Sequence, residues 1–300
     1  MTIASAIVNK QQQVAACYTA ISNKGGTLPV TQDVANMPTA IASIPSGGGV
    51  SIPREVKNGV YQVPTESFTF SFPSTATTIS AYALCYAFYG STGLTGSVDL
   101  SNVTSVGTNG LYYAFYRCTG LTGSVNLSNV TSIGDYALQY AFRGCTGITG
   151  VDLSNATSVA AYGLESAFNS CTGLTGSIDL SSVTSIAYRG SYQIFQNCTG
   201  ITSVDLSSVI SIAAYGFQYA FYDCKKLQVI TFNSLKTTSF GNVNAFSSMF
   251  STTTGSEATG GCTVHFPSNL QSTISGLTGY PTFGGSSSYI QLAFDLPATS

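Results

Sequence analysis

The sequence predicts an α/β repeat solenoid, in which stacked coils of 26 to 27 residues each contribute a short strand and a short helix to one parallel array. Three observations predict it. Phe88, Phe115, Phe142, Phe168, Phe195 and Phe221 recur at intervals of 27, 27, 26, 27 and 26, and a fixed period of that size marks stacked supersecondary units. Inside each period a stripe at helical spacing is followed by an alternating strand. Outside residues 74–250 the period fails at both ends, as expected where a terminal coil meets water on one face.

The coil around Phe142 shows the pattern. Leu138, Ala141, Phe142 and Cys145 stand at i, i+3, i+4 and i+7, the spacing of one helical face, so they are expected to point inward. Asp135 is placed as its N-cap and Gly147 as the C′ residue with positive φ. Val151 and Leu153 then alternate with Asp152, the period of a strand buried on one face. Coils of 27 residues read LTGSVDL, LTGSVNL or LTGSIDL, and those of 26 read ITGVDL or ITSVDL. The extra residue is expected in a turn or bulge, leaving the core columns in register.

The run GDYALQYAFRGCTGIT, followed by VDLSNATSV, resembles the repeat of the BspA-like leucine-rich repeat surface proteins. The likeness spans roughly residues 74 to 250, with residues inserted between Gly134-Asp135-Tyr136-Ala137 and Ala141-Phe142 that would lengthen the helix. The resemblance implies extracellular recognition and adhesion and no catalysis.

Residues 1–44 differ in kind. Ile3, Ile7, Val14, Tyr18 and Ile21 fall on one side of a helix ending near Ser22, Gly25-Gly26 breaks it, and further helical pieces follow from Thr31 and Pro38. They are expected either to pack on each other or the first coil, or to dock onto a larger particle. The segment VAACYTAISNKGGTLPVTQDVANMPTAIASIP resembles the N-terminal part of many phage virion proteins, which implies contact with other virion proteins through residues 1–44. Residues 45–49 read as a Gly-rich linker. Residues 50–73 read as a β N-cap with a turn at Asn58-Gly59 and alternating Phe68, Phe70 and Phe72. At the far end Phe246 is read as continuing the Phe column, with Met249 in the Cys place. Residues 251–300 read as a C-terminal cap: a strand CTVHF, a short helix opened by Ser268 and a final strand YIQLAFDL. This tail also resembles the terminus of gut-phage virion proteins carrying such repeats.

Only 7% of residues are charged and the net charge is -2, so the surface is solvated by hydroxyls and offers no electrostatic footprint for nucleic acid or an anionic membrane. No run of 18 apolar residues is present, so no membrane insertion is expected. A signal peptide is not expected either, because Asn9 to Gln13 interrupt the only candidate apolar core. Together with the resemblance to virion proteins this favours a virion surface location, with the bacterial cell surface as the alternative.

Eight cysteines raise the question of disulfides or metal. Cys118, Cys145, Cys171, Cys198 and Cys224 each follow their Phe by three residues, and coils about 4.8 Å apart hold Cβ atoms too far apart for ready bridging. They are read as a column of buried free thiols, with Cys17, Cys85 and Cys262 left unpaired. CxxC pairs and a second histidine beside His265 are missing, so no metal or cofactor is expected. No nucleophile elbow, Walker loop or dinucleotide fingerprint occurs, and the chain is read as non-enzymatic.

Two outward columns are candidates for binding. Asp99, Asn126, Asp152, Asp179 and Asp205 line the strand side, with Thr231 completing the row. Adjacent like charges call for compensation, either by Asx-type bonding to the following Ser or by a bound cation. The other column is aromatic: Tyr86, Tyr89, Tyr112, Tyr113 and Tyr116 form the densest cluster, suited to stacking on sugars or protein, or to burying the helix flanks between coils. The partner expected is a bacterial surface glycan or protein, met by a phage tail or head fibre. A bacterial adhesin, a purely architectural virion protein and a homo-oligomer stay open.

Overall fold

The computed structural model describes residues 55–57, 60–62, 67–70, 72, 74, 76–236, 238 and 240–298. The helical pieces placed in 1–44 and the linker at 45–49 lie outside these residues. Of the β N-cap, the hairpin is seen: Glu55–Lys57 pairs antiparallel with Val60–Gln62, and Lys57 opposite Val60 leaves a two-residue connection.

Every later ladder is parallel, and together the coils form a parallel β-solenoid of about eight turns with very little helix. One ladder runs through Leu94–Asp99, Leu121–Asn126 and Gly150–Asp152, and resumes through Thr175–Asp179, Gly200–Asp205 and Val229–Thr231. A second ladder of two-residue strands runs from Thr78–Ile79 to Ser211–Ile212 and buries Ile79, Val106, Ile133, Val159, Ile186 and Ile212. Register pairs like with like: Val98 with Val125 and Val151, Ile178 with Val204 and Ile230. Ladder irregularities fall between Gly96 and Val98 and between Gly176 and Ser177, where Gly96 and Gly176 take φ of 82° and 75°. The extra residue of the longer coils is thus absorbed beside the strand, and the valine and isoleucine columns hold.

The stretch read as a helix is not one. An α-helix pairs N–H(i) with C=O(i−4), whereas here alternate residues bond in different directions. Leu138, Tyr140, Phe142 and Gly144 donate their N–H to Gly163, Glu165, Ala167 and Asn169 of the next coil, at 2.8 to 2.9 Å. Between them Ala137, Gln139, Ala141, Arg143 and Cys145 donate to the carbonyl three residues back, at 3.0 to 3.3 Å. The segment is a ladder of tight turns in which each N–H from Tyr136 to Cys145 is paired. Tyr136, Tyr140 and Gly144 take φ of 57°, 58° and 76°, and left-handed residues recur every fourth position in the other coils. Each non-Gly residue held there costs about 1 to 2 kcal/mol, and such a conformation persists when the surrounding bonds over-determine it. A repeat of four places Leu138 and Phe142 on one side just as 3.6 does over two turns. The inward assignments therefore hold, with Leu138, Ala141, Phe142 and Cys145 all buried, although the conformation differs.

The supposed caps change role accordingly. Asp135 Oδ1 accepts the N–H of Ala161 in the next coil at 3.0 Å. Gly147 has no positive φ; a Cβ there would lie 2.4 Å from the carbonyl oxygen of Leu121, and Gly120, Gly173 and Gly200 meet the preceding coil in the same way. The Gly of each CTG is required by this close approach of backbones.

A column of stacked rings runs through the core. Phe88, Phe115, Phe142 and Phe168 are 5.0, 5.0 and 5.4 Å apart between centroids and within 6° of parallel. Phe70 closes the start, edge-on to Phe88 and Phe115. Beyond Phe221 the reading of the sequence needs correction. Phe221 N bonds Met249 O, which puts Met249 in the alanine place and Phe250 in the Phe column, while Phe217 N bonds Ala245 O and Phe246 packs on Phe217. The last interval is therefore 29 residues, from Phe221 to Phe250, not 25. At the C-terminal end Cys262–Pro267 and Ile290–Leu296 extend the ladder beyond Val229–Thr231. Between them lie a 3-10 turn, Ser268–Leu270, and an α-helix, Gln271–Ser275.

The thiols sit in the core as read, and they also bond. Cys118, Cys145, Cys171, Cys198 and Cys224 donate from Sγ to the carbonyls of Phe88, Phe115, Phe142, Phe168 and Phe195, at 2.9 to 3.1 Å. In the following coil the hydroxyl of Thr254 makes the same bond to Phe221 O at 3.0 Å. Burial pushes the thiols of Cys145 and Cys198 up to about 12, so they remain protonated donors. Cys262 is free, in agreement with its reading, but Cys85 is disulfide-bonded, which corrects the reading that left it unpaired.

Candidate functional site

The two predicted columns are treated differently by the fold. On the strand side Asp99, Asp152, Asp179 and Asp205 are exposed, and Asn126 and Thr231 are half-buried. Register aligns Asp99 with Asn126 and Asp152, and Asp179 with Asp205, Thr231 and His265. Each acid accepts the N–H two residues on: Ser101 to Asp99, Ser154 to Asp152, Ser181 to Asp179 and Ser207 to Asp205, at 2.8 to 3.0 Å, and Ser128 to Asn126 at 3.1 Å. That is the Asx-type compensation the sequence suggested. It ties one carboxylate oxygen of each acid to the backbone, while the four acids stay exposed.

Around Asp179 and Asp205 the surface forms a shallow groove. Ser177, Asp179, Ser203, Asp205 and Thr231 supply its polar wall, with Ile178, Val204 and Val229 also lining it. Ser203 donates to Ser177 across the coils at 2.6 Å. Rows of hydroxyls beside rows of carboxylates, spaced by the strand separation, can accept and donate hydrogen bonds to a polar polymer along several coils at once. Among the described residues no three His, Cys, Asp or Glu side chains gather to hold a metal ion. His265 continues the acidic column and pairs through Nδ1 with Asp295 at 2.8 Å. Its place in that column was not legible from the motif CTVHF alone; the register supplies it.

Of the two roles the sequence left open for the tyrosine cluster, packing between coils accounts for most of it. Tyr86, Tyr112 and Tyr113 retain only 3%, 1% and 9% of their exposure. Tyr86 stacks on Tyr113 at 5.0 Å, and Tyr113 stacks on Tyr140 at 4.6 Å. Burial raises the phenol pKa of all four. Tyr89 and Tyr116 are half-buried and stack on each other at 4.9 Å. Tyr140 donates to Glu165 Oε1 at 3.0 Å, and Arg189 lies over the Tyr192 ring at 3.8 Å with Nε 3.9 Å from Glu165 Oε2. The turn side is an inter-coil network, a role the sequence left open alongside binding. Tyr280 remains exposed at the C-terminal loop, whereas Phe283 is fully buried.

Stacked Phe rings, carbonyl-bonded Cys and Asx-closed strands recur from coil to coil. A family model described as "BspA type Leucine rich repeat region" matches in six copies over residues 54–193 and 111–252. The chain belongs to this family. Among solved structures, the BspA-type chain is similar to a leucine-rich repeat protein of T. pallidum, at 27% identity and a TM-score of 0.34. That match covers 51% of this chain and 62% of the other, so the chain spans less than two thirds of that relative. A leucine-rich cell surface protein of Faecalibacterium prausnitzii matches at 15% identity and a TM-score of 0.22, covering 80% of this chain and 86% of the other. No curated protein matches the sequence. Among the described residues no helix is long and apolar enough to cross a membrane.

Proposed function

We propose that this BspA-type repeat protein is a non-enzymatic recognition protein that binds a bacterial surface glycan or protein through the strand side of its solenoid. The observation that carries the proposal is the Asp and Ser register around Asp179 and Asp205, which presents an exposed carboxylate in each of these two coils beside aligned hydroxyls. The carrier proposed is a phage particle, on which the chain serves as a tail or head fibre and meets other virion proteins through residues 1–44; the likeness of its two ends to virion proteins supports this. Family membership also supports a second carrier, the bacterial cell itself, where the same face would serve an adhesin.

Replacing Asp179 and Asp205 together by Asn tests the site. Asn126 already makes the same Asx bond in its coil, so the fold is retained while two negative charges are lost. Adsorption to bacterial cells is expected to fall by at least about tenfold, the equivalent of ~1.4 kcal/mol. Unchanged adsorption by the folded variant would remove the strand side from the proposal. Fractionation of the source culture separates the carriers, since a fibre travels with particles and an adhesin with cells.

A further inference from the structure

The outward column of the turn ladder runs Cys85, Tyr112, Gln139, Glu165, Tyr192, Gln218, one residue per coil at equivalent positions. Equivalent backbone should give equivalent exposure. Instead the first four are buried, at 1%, 1%, 6% and 5%, while Tyr192 and Gln218 are half-buried. The neighbouring column shows the contrast less sharply, with Tyr86, Tyr113 and Ser166 buried and Tyr140, Gln193 and Tyr219 half-buried. The outside of the first four coils is thus the more buried part of this column. Two polar atoms in these coils, Asn109 Oδ1 and Gln139 Oε1, are buried with no hydrogen-bond partner. Such atoms cost free energy unless a donor reaches them.

The cysteine count says which segment is near. The sequence holds eight cysteines. Cys118, Cys145, Cys171, Cys198, Cys224 and Cys262 are free, and Cys85 is disulfide-bonded. Within one chain, Cys17 is the remaining candidate. Its sequence context suits the task, because Val14, Cys17, Tyr18 and Ile21 stand at i, i+3, i+4 and i+7, so the thiol shares the apolar stripe of an amphipathic pattern.

We infer that the N-terminal segment around Cys17 docks on the tyrosine-rich outer side of the first four coils and is stapled there by a Cys17–Cys85 disulfide. The bond forms when the two thiols lose two protons and two electrons to a disulfide oxidant such as oxidised glutathione, which leaves as two thiols. The apolar stripe then covers Tyr86, Tyr112 and Tyr113. The staple fixes the segment proposed for particle attachment to the start of the solenoid, so a load between them bypasses the linker at 45–49. This inference stands whether or not the strand side binds a surface.

Peptide mapping of the unreduced full chain decides the covalent part. Alkylation followed by trypsin is expected to give one cross-linked species joining residues 11–24 to residues 58–117, which contain Cys17 and Cys85 and no other cysteine. Two copies of 58–117 joined to each other, or both cysteines recovered alkylated, would overturn it. Docking is read separately by iodination with site-resolved mass spectrometry. Tyr112 and Tyr113 are expected to resist iodination in the full chain and to become reactive when residues 1–49 are deleted, with circular dichroism reporting that the coils persist. Protection that survives the deletion in folded protein would overturn the docking. Should the deletion not fold, iodination of full-length Cys17→Ser serves: faster labelling of Tyr112 and Tyr113 than in the oxidised wild type supports the staple, and equal labelling overturns its part in docking.

Discussion

Truncating Phe142 to Ala probes the ring column where it is most regular. The side chain is fully buried and lies between Phe115 at 5.0 Å and Phe168 at 5.4 Å, with interplanar angles of 5° and 0°. A Phe buries ~150 to 250 Å², which at about 25 cal/mol per Å² corresponds to ~4 to 6 kcal/mol. The remaining Ala keeps part of that, and two lost stacks add about 0.5 to 1.5 kcal/mol each. The net expectation is ~4 to 5 kcal/mol, at the upper end of measured Phe-to-Ala losses. Tyr140→Ala, two residues earlier, loses a half-buried ring, its stack on Tyr113 at 4.6 Å and a hydrogen bond to Glu165 at 3.0 Å. It is expected to lose about half as much. Urea unfolding followed by circular dichroism measures both variants. A Phe142→Ala loss below about 2 kcal/mol would refute the inward assignment of the column, since burial alone requires more.

Three further outcomes follow from the same geometry. Gly147→Ala should destabilise more than Gly150→Ala, because its Cβ would sit 2.4 Å from the Leu121 carbonyl oxygen, against 3.8 Å from a side-chain atom at Gly150; thermal melts rank the two. Cys145→Ser should keep most of the stability that Cys145→Ala loses, since a hydroxyl at Thr254 already makes the equivalent carbonyl bond; the two melts compare directly. Stability should be flat with respect to the thiols below about pH 8.5, where unfolded cysteine is protonated, and should fall as pH rises toward 12, because folded Cys145, Cys198 and Cys262 hold their protons to about 12 while the unfolded chain releases them. Denaturant midpoints between pH 8 and 11 that rise instead would contradict the buried, protonated column.

Much of this architecture was legible in the residues. The Phe interval identified the solenoid, and the alternation in Val151-Asp152-Leu153 identified the strand. What misled was the turn ladder: a four-residue repeat and a 3.6-residue helix place Leu138, Ala141, Phe142 and Cys145 on the same side, and no sequence rule marks Tyr136 and Tyr140 as left-handed when Tyr rarely is. The end of the array misled for a related reason. Phe246 and Phe250 are four apart, so a wrong choice of phase still places a phenylalanine in the core. The Asp column kept its predicted local bonding because an Asx turn is decided within three residues. The tyrosines could not be assigned that way, since their exposure depends on what lies against the outer side of the coils. Thr254 in place of cysteine was invisible to a search for thiols and became plain only from the bond to Phe221.

The proposal that the strand side meets the bacterial surface is tested most directly by hydrogen exchange on the full chain, with and without a bacterial envelope preparation that it binds. The account predicts added protection in the strands Thr175–Asp179 and Gly200–Asp205 and in the Ser181 and Ser207 turns that follow. Protection confined to the turn ladder around Tyr89 and Tyr116, with the strands unchanged, would contradict it.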